Sequence, residues 1–212
     1  MAKVIPAINV KSEEEFYKKI NTLYPKVKYF HFDVAKEDFC SYQNWAEINK
    51  IINFKFKIFL DLHLMVYLSP LEILRWNKSY VKKIFIHPNS TKNLNGVIKV
   101  IKKIKKKIYL AFSPSDNILD FKNYFKFIDG VLILGVNPGP SGQKLNKQSF
   151  KNIELLKKEF KNFKFGFDGG INKENIREVL RFEPEFVVIG SSIFKEKDPF
   201  YAYLNFLNLA KT

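Results

Sequence analysis

The feature that most constrains this chain is a regular alternation along its whole length. Short runs of β-branched and aromatic residues alternate with longer segments in which apolar residues recur every three or four positions. This pattern indicates strands followed by helices, as in a parallel sheet. Eight runs are strand candidates, namely residues 4–8, 27–34, 57–64, 83–86, 108–112, 130–135, 163–167 and 186–189. Because eight parallel strands close a barrel, we predict an α/β fold of the (β/α)₈ TIM-barrel class.

Polar capping residues mark where the intervening helices begin. Ser12, followed by three glutamates, forms a capping box in which its hydroxyl and the Glu15 carboxylate satisfy free backbone N–H groups of the first turn. Ser69 and Asp198 each precede a proline, which is tolerated at the first helical position because no donor is needed there. Further helices are predicted over residues 45–53, 93–106, 115–124, 147–160, 173–181 and 199–209.

Length and composition favour one domain over residues 1–212. The chain is 46% hydrophobic and 16% aromatic, and no linker rich in glycine, serine or proline interrupts the pattern. No run reaches the roughly 18 uncharged apolar residues of a membrane span, and the first residues lack the apolar region of a signal peptide. Cys40 has no second cysteine to pair with, which fits a reducing compartment. We therefore expect a cytoplasmic protein with no membrane partner.

The formal charge of +15 raises nucleic acid as a partner, because clustered basic residues bind phosphates. The lysines, however, are spread over the whole chain, and it has three arginines, the residue type that base-reading sites favour. The densest lysine run, residues 102–107, is interleaved with isoleucines at helical spacing and is typical of a solvated helix face. We predict no nucleic-acid partner, although a basic surface can steer an anionic substrate.

Histidines and aspartates collect where the predicted strands end. In a parallel barrel the active site lies at the carboxyl ends of the strands. His31 and Asp33 share one side of the second strand, His63 is on the third, and Asp168 ends the seventh. These four side chains predict a site for one divalent ion, Zn²⁺, Fe²⁺, Mn²⁺ or Co²⁺. His87, after the fourth strand, is interpreted as a hydrogen-bonded structural residue.

Three loops at the same edge are rich in glycine. They follow strands six, seven and eight, where barrels commonly bind a phosphate group through exposed backbone N–H groups. Glycine also permits tight turns without any ligand, but three neighbouring loops together favour a phosphate site. The candidate phosphate-binding residues are Gly139, Pro140, Ser141, Gly142, Gly169, Gly170, Gly190 and Ser191.

Five segments, in order along the chain, resemble motifs of the ribulose-phosphate 3-epimerases. They are HFDV at residues 31–34, DLHLMV at 61–66, GVNPGPSGQK at 135–144, FDGGIN at 167–172 and GSSIF at 190–194. The resemblance extends from about residue 4 to residue 194. The Asn-Pro-Gly-x-x-Gly-Gln and His-Leu-Met motifs are specific, whereas other phosphate-binding barrels share the Asp-Gly-Gly and Gly-Ser motifs. The resemblance implies a barrel of the ribulose-phosphate-binding type.

The resemblance also implies roles for particular residues. His31, Asp33, His63 and Asp168 match the family's metal ligands, and the two aspartates also match its acid/base pair. His63 and Met65, with the glycine-rich loops, match positions that contact the substrate. The implied reaction is the interconversion of D-ribulose 5-phosphate and D-xylulose 5-phosphate in the pentose phosphate pathway, in which one carboxylate removes the C3 proton and the other returns a proton to the opposite face. The implied partner is a phosphorylated ketose, and a homo-oligomer is left open.

The chain departs from the family pattern around the implied substrate. Ala7 replaces a serine, Ala35 and Lys36 replace a methionine and an aspartate, Leu134 and Gly135 replace Met-Ser, and Pro140 and Ser141 replace Phe-Gly. None of these changes removes an implied ligand. Lys36 would place a cation near the metal if its side chain pointed inward.

The departures keep three alternatives open. An epimerase of a hexulose 6-phosphate would share every implied catalytic residue, and comparing turnover of the two substrates separates them. A catalytically degenerate paralogue that binds a sugar phosphate is favoured by Ala7 and Lys36. A decarboxylase of the phosphate-binding barrel class would use a Lys/Asp cluster and leave the metal ligands idle, so metal content discriminates against it.

Overall fold

The predicted barrel is confirmed in the computed structural model, which describes residues 1–47, 49–53 and 57–211. Eight parallel strands pair in sequence order, and the eighth closes against the first. The strands are β1 (Lys3–Ile8), β2 (Tyr29–Ala35), β3 (Phe59–Met65), β4 (Val81–Ile86), β5 (Lys107–Phe112), β6 (Gly130–Leu134), β7 (Phe165–Asp168) and β8 (Phe186–Ile189). Each predicted strand overlaps an observed one, with ends that differ by at most two residues.

Seven α-helices and four 3₁₀ helices connect and flank the strands in the described residues. The α-helices are α1 (Glu13–Leu23), α2 (Glu37–Cys40), α3 (Leu94–Lys103), α4 (Ser149–Glu159), α5 (Ile176–Leu180), α6 (Ser191–Phe194) and α7 (Pro199–Leu209). The 3₁₀ helices are Lys50–Asn53, Glu72–Trp76, Pro88–Ser90 and Ile118–Phe127. Among these residues, no helix combines the length and apolarity that crossing a membrane requires.

Three helix predictions need correction. The segment predicted as a helix over 115–124 forms a 3₁₀ helix at Ile118–Phe127, because its many aromatic, Asn and Asp residues are weak α-helix formers. After Ser69 the helix is also 3₁₀ and begins at Glu72, not at the proline. Of the predicted helix 45–53, residue 48 lies outside the described residues, residues 45–47 are not helical and Lys50–Asn53 are 3₁₀.

The caps at Ser12 and Asp198 form as predicted. The Ser12 hydroxyl accepts a hydrogen bond from the Glu15 N–H, and the Glu15 carboxylate accepts one from the Lys11 N–H at 2.7 Å. The Asp198 carboxylate accepts a hydrogen bond from the Tyr201 N–H at the start of α7. These bonds satisfy donors that a helix leaves free at its first turn, so each helix begins at a defined residue.

Strand alternation separates two cores and determines which side chains face the barrel interior. On β2, Phe30, Phe32 and Val34 belong to the core between the sheet and the helices, so His31 and Asp33 point into the barrel. A second cluster of apolar side chains fills the interior. Its members are Ile5, Ala7, Phe85, Tyr109, Ala111, Leu132, Leu134, Phe186 and Val188.

A buried ion pair lies in the amino-terminal half of the barrel interior. The fully buried Asp61 carboxylate accepts hydrogen bonds from the Tyr29 hydroxyl at 2.6 Å and the Lys83 ammonium at 3.0 Å. Removing one partner of such a pair costs roughly 3–5 kcal/mol because the other charge is left buried. The pair and the apolar cluster fill the interior below the carboxyl ends of the strands.

Candidate active site

The four predicted metal ligands meet at the carboxyl ends of the strands. His31 and Asp33 are on β2, His63 pairs in register with Asp33 from β3, and Asp168 is the last residue of β7. One potential ligand atom from each of the four lies within 4.8 Å of the others. The Asp33 Oδ1 atom is 3.1 Å from His63 Nδ1, and the Asp168 Oδ2 atom is 3.7 Å from the same nitrogen.

The ring nitrogens of His31, unpaired among the described residues, indicate that a metal ion would fit this group. Its side chain is fully buried, and neither ring nitrogen makes a hydrogen bond within the described part of the chain. The Nε2 atom lies 3.5 Å from Asp33 Oδ1 and 3.6 Å from Asp168 Oδ2. An unsatisfied buried nitrogen costs about 1–3 kcal/mol, and coordination of a cation would use its lone pair. The four side chains thus form a buried group that could hold a divalent ion.

The two carboxylates of this group have opposite pKa shifts. Burial acts to raise the pKa of Asp33, but the nearby imidazoles of His31 and His63 outweigh burial and hold that pKa well below its usual range. Burial raises the pKa of Asp168 to about 6, and the nearby charge of Asp33 adds to the rise. In the metal-free site one carboxylate therefore stays ionised while the other can carry a proton near neutral pH.

His87 lies beside the metal group and does have a hydrogen-bond partner. Its Nε2 atom is 3.0 Å from Nε2 of His63, and the two ring planes are inclined by 27° with their centroids 5.1 Å apart, as in an edge-to-edge hydrogen bond. The ring of Phe39 packs on it at 5.0 Å. Burial, and then the charge of His63, lower the pKa of His87 well below the usual value, so the ring is neutral.

A cavity of about 550 Å³, counted with the part open to solvent, lies directly above the metal group. His31 is absent from its lining and lies beneath the other three ligands, buried in the barrel. The lining includes every other predicted site residue, namely Asp33, His63, Met65, Gly139, Pro140, Ser141, Gly142, Asp168, Gly169, Gly170, Gly190 and Ser191. The structure therefore brings the acid/base candidates and the glycine-rich loops to one opening.

Backbone conformation explains glycine at two positions in these loops. Gly169 and Gly170 have φ of 95° and 72°, which side-chain-bearing residues rarely adopt. A Cβ on Gly170 would also lie 2.6 Å from the Leu145 Cα atom. A Cβ built on Gly142 would lie 3.2 Å from the Lys195 ammonium, so this cation reaches the β6 loop. Sequence reasoning did not find Lys195, because no local motif distinguishes it from the other lysines.

Asn9 is a second residue that sequence reasoning missed. It follows β1, is buried and lines the cavity. Its side-chain amide donates to the Gly139 carbonyl at 3.2 Å and accepts from the Tyr42 hydroxyl at 3.0 Å and the Asn44 amide at 3.3 Å. Asn9 thus joins the loops that follow β1, β2 and β6. The signal in the sequence that could have identified Asn9 is a polar residue directly after an apolar strand.

The departures from the family pattern fall into two groups. Ala7, Leu134 and Pro140 line the cavity, so these replacements do change the walls around a bound molecule. Lys36 is exposed and is absent from the lining, and Ala35 is buried but also absent. Lys36 instead lines a separate cavity with Gln43, Glu47 and Arg75, and none of the four candidate ligands lines that cavity.

Solved structures resemble the chain in fold at low sequence identity. The 3-hexulose-6-phosphate synthase of Salmonella typhimurium matches with a TM-score of 0.76 and 13% identity, covering 99% of this chain and 98% of that one. KGPDC from Streptococcus mutans matches with a TM-score of 0.75 and 12% identity, covering 100% and 98%. These likenesses show the barrel architecture.

Sequence comparison is more specific. The ribulose-phosphate 3-epimerase of Buchnera aphidicola subsp. Baizongia pistaciae is 38% identical over 141 residues, which are 64% of this chain and 61% of the relative. That of Aquifex aeolicus is 28% identical over 177 residues, 79% of this chain and 78% of the relative. The model of the ribulose-phosphate 3 epimerase family matches residues 3–194. This match runs from the first residue of β1 to the last residue of α6 and so covers most of the chain. The chain therefore belongs to the ribulose-phosphate 3-epimerase family.

Proposed function

We propose that this protein is a metal-dependent epimerase that interconverts D-ribulose 5-phosphate and D-xylulose 5-phosphate by moving the proton at C3. One observation carries the proposal. The carboxylates of Asp33 and Asp168 come from strands that are not neighbours, yet both line one cavity and both lie within 3.6 Å of His31 Nε2. Inversion at one carbon requires a proton acceptor on one face and a proton donor on the other, and two such carboxylates supply both.

The two aspartates would act in complementary protonation states. The ionised carboxylate removes the C3 proton, and the protonated one returns a proton to the opposite face. The opposite pKa shifts of Asp33 and Asp168 favour one ionised and one protonated group at the same time. A divalent cation bound to the four ligands, Zn²⁺, Fe²⁺, Mn²⁺ or Co²⁺, would stabilise the negative charge that develops on the substrate oxygens. Exchange of the two protonation states lets the reaction run in both directions.

The remaining lining would bind and orient the sugar phosphate. Backbone N–H groups of the three glycine-rich loops are suited to the phosphate, and Lys195 adds a cation beside Gly142. Met65, Ala7, Leu134 and Val188 give the cavity an apolar wall that helps to exclude water from the reacting carbon. The proposed phosphate-binding residues are Gly139, Pro140, Ser141, Gly142, Gly169, Gly170, Gly190 and Ser191. We extend the proposal to the pentose phosphate pathway and the cytoplasm, with which a chain holding one cysteine agrees.

The first experiment is an epimerase assay on the metal-stripped protein. Turnover of D-ribulose 5-phosphate should appear on adding Mn²⁺, Zn²⁺, Co²⁺ or Fe²⁺ and disappear with a chelator. A hexulose 6-phosphate tested in parallel distinguishes the substrate class. Protein that binds the metal and the sugar phosphate without turnover would contradict the epimerase proposal and support a binding paralogue.

Replacing either aspartate tests the proton-transfer roles. Asp33→Asn or Asp168→Asn should slow exchange of the C3 proton with deuterated solvent by at least about 10³-fold, because an amide neither accepts nor donates the proton. Exchange is followed by NMR of the sugar. Asp38→Asn is the matched control, since Asp38 is exposed in α2 and does not line the cavity. Normal exchange in Asp33→Asn or Asp168→Asn would remove that residue from the mechanism.

A further inference from the structure

The two ring nitrogens of His63 face different partners. On one side, Nδ1 lies 3.1 Å from Asp33 Oδ1 and belongs to the metal group. On the other side, Nε2 lies 3.0 Å from Nε2 of His87. Both histidines are 2% exposed. A contact of this length between two imidazole nitrogens requires an N–H on one and a lone pair on the other.

Metal binding determines which nitrogen must donate. A metal held by the four ligands would use the lone pair of His63 Nδ1, so the single proton of the neutral ring would have to lie on Nε2. His87 must then accept with its own Nε2. If His87 donated instead, the His63 proton would lie on Nδ1, directed at the Asp33 carboxylate, and the ligand lone pair would be lost.

We propose that His87 is a positioning residue that holds His63 in the Nε2–H form and so prepares Nδ1 to bind the metal. This inference rests on the metal centre in the proposed function. The proposal gives a role to a residue outside the site described above, because His87 is neither one of the four ligands nor part of the cavity lining. His87 acts through His63 and does not touch the substrate.

The surroundings of His87 keep its ring in this orientation. Its carbonyl accepts hydrogen bonds from the Ser90 N–H at 3.0 Å and the Ser90 hydroxyl at 2.7 Å, which close the short 3₁₀ helix Pro88–Ser90. The ring meets the His63 ring through Nε2, and the ring of Phe39 packs on it with the centroids 5.0 Å apart. His87 also lines a separate small cavity with Asn89 and Asp116, and none of the four ligands lines that cavity. These contacts restrain the ring without occupying the substrate cavity.

Two substitutions separate hydrogen bonding from packing. His87→Gln keeps a side-chain acceptor near the position of Nε2, whereas His87→Leu has similar bulk and no acceptor. Phe39→Leu is the matched control, because it changes the packing on the same ring and leaves the hydrogen bond intact. Circular dichroism establishes that each variant is folded. The measured quantity is the affinity of the stripped protein for Zn²⁺ or Co²⁺, determined by competition with a chromogenic chelator.

The three variants should differ in their affinity for the metal. His87→Leu should bind the metal about 10–100-fold more weakly than the parent, as is typical when the partner of a ligating histidine is lost. His87→Gln and Phe39→Leu should stay within about 3-fold of the parent. In the Zn²⁺-loaded parent, ¹⁵N NMR should show the His63 proton on Nε2. This NMR measurement uses the parent protein, so it can be made even if His87→Leu fails to fold.

Three results would overturn the inference. They are parental affinity in folded His87→Leu, an equal loss in His87→Gln and His87→Leu, or a His63 proton on Nδ1 in the loaded protein. The first two leave epimerase turnover of the parent intact and so count against His87 alone. The third would also remove His63 Nδ1 as a metal ligand. If the parent itself binds neither Zn²⁺ nor Co²⁺, the metal centre fails and this inference fails with it.

Discussion

At the scale of single residues, Asp33 and Asp168 are chemically identical but have different surroundings. Asp33 lies close to two imidazoles, and these rings favour its ionised form. Burial and the charge of Asp33 have the larger effect on Asp168, and they favour its protonated form. A pair of carboxyl groups with separated pKa values is a typical arrangement for acid/base chemistry. The separation comes from neighbours on other strands.

The raised pKa of Asp168 predicts a pH dependence of stability for the metal-free protein. Between the ordinary value of 3.8 and about 6, the folded protein holds more protons on this group than the unfolded chain does. The free energy of unfolding therefore falls as pH rises through this window and stays lower above it. In the presence of a chelator, Asp168→Asn should thus melt at a higher temperature than the parent at about pH 7.5, and the difference should shrink towards about pH 4.

Asp33→Asn is the control, because this substitution should change the melting temperature in the opposite direction. Because the pKa of Asp33 is lowered, its contribution to stability is present above the ordinary value and is lost as pH falls. This variant should therefore melt below the parent at neutral pH. Thermal melts followed by circular dichroism check both. Equal melting temperatures for Asp168→Asn and the parent at neutral pH would contradict the raised pKa of Asp168.

At the scale of elements, the end of β2 is held in place by the loop that follows it. The Asn44 side chain accepts a hydrogen bond from the Ala35 N–H and donates one to the Asp33 carbonyl, both at 2.8 Å. It also donates to the Asn9 side chain. These bonds replace the ladder bonds that a strand loses at its end, and they fix the backbone that carries Asp33.

Removing this amide should destabilise the barrel. Asn44→Ala leaves buried backbone groups of Ala35 and Asp33 without partners, and each such group costs about 1–3 kcal/mol. We expect a loss of about 2–4 kcal/mol in the free energy of unfolding, measured by urea titration. Asn89→Ala, which removes an exposed 3.4 Å hydrogen bond to Asp116, is the control and should change stability by less than about 0.5 kcal/mol. Similar losses in both variants would contradict the role of Asn44.

Strands were more predictable than helices in this chain. Strand runs such as Phe186–Ile189 are recognisable because burial on both faces demands an unbroken apolar sequence. The segment Ile118–Phe127 has the apolar spacing of a helix but forms a 3₁₀ helix, since its many aromatic, Asn and Asp residues are weak α-helix formers. Local periodicity thus indicated the kind and order of the elements but not the exact helical form.

At the scale of the whole molecule, the metal group joins strands that are distant in sequence. β2, β3 and β7 each supply at least one of its four side chains. A cation bound to these residues in the folded protein, and not in the unfolded chain, shifts the equilibrium towards folding. The barrel and the bound ion are therefore thermodynamically coupled.

Metal removal should lower the melting temperature. A free ion at about 100 times its dissociation constant contributes about 2.7 kcal/mol, which corresponds to roughly 5–10 °C for a chain of this size. Differential scanning calorimetry with chelator, and again after adding Mn²⁺ or Zn²⁺, checks this. The double variant Asp33→Asn, Asp168→Asn should show no response to either addition. A parent protein that melts at the same temperature in both conditions would argue against the site.

The pattern of apolar and polar residues along the chain was enough to predict the barrel class and the four candidate ligands. Both follow from local information, namely the period of the apolar residues and the polar residues in the later part of each strand. The folded barrel alone shows that His87 contacts His63, that Asn9 joins three loops and that Lys36 lies outside the cavity lining. These contacts depend on how neighbouring strands are registered once the barrel closes, and that register brings together residues with no shared sequence pattern.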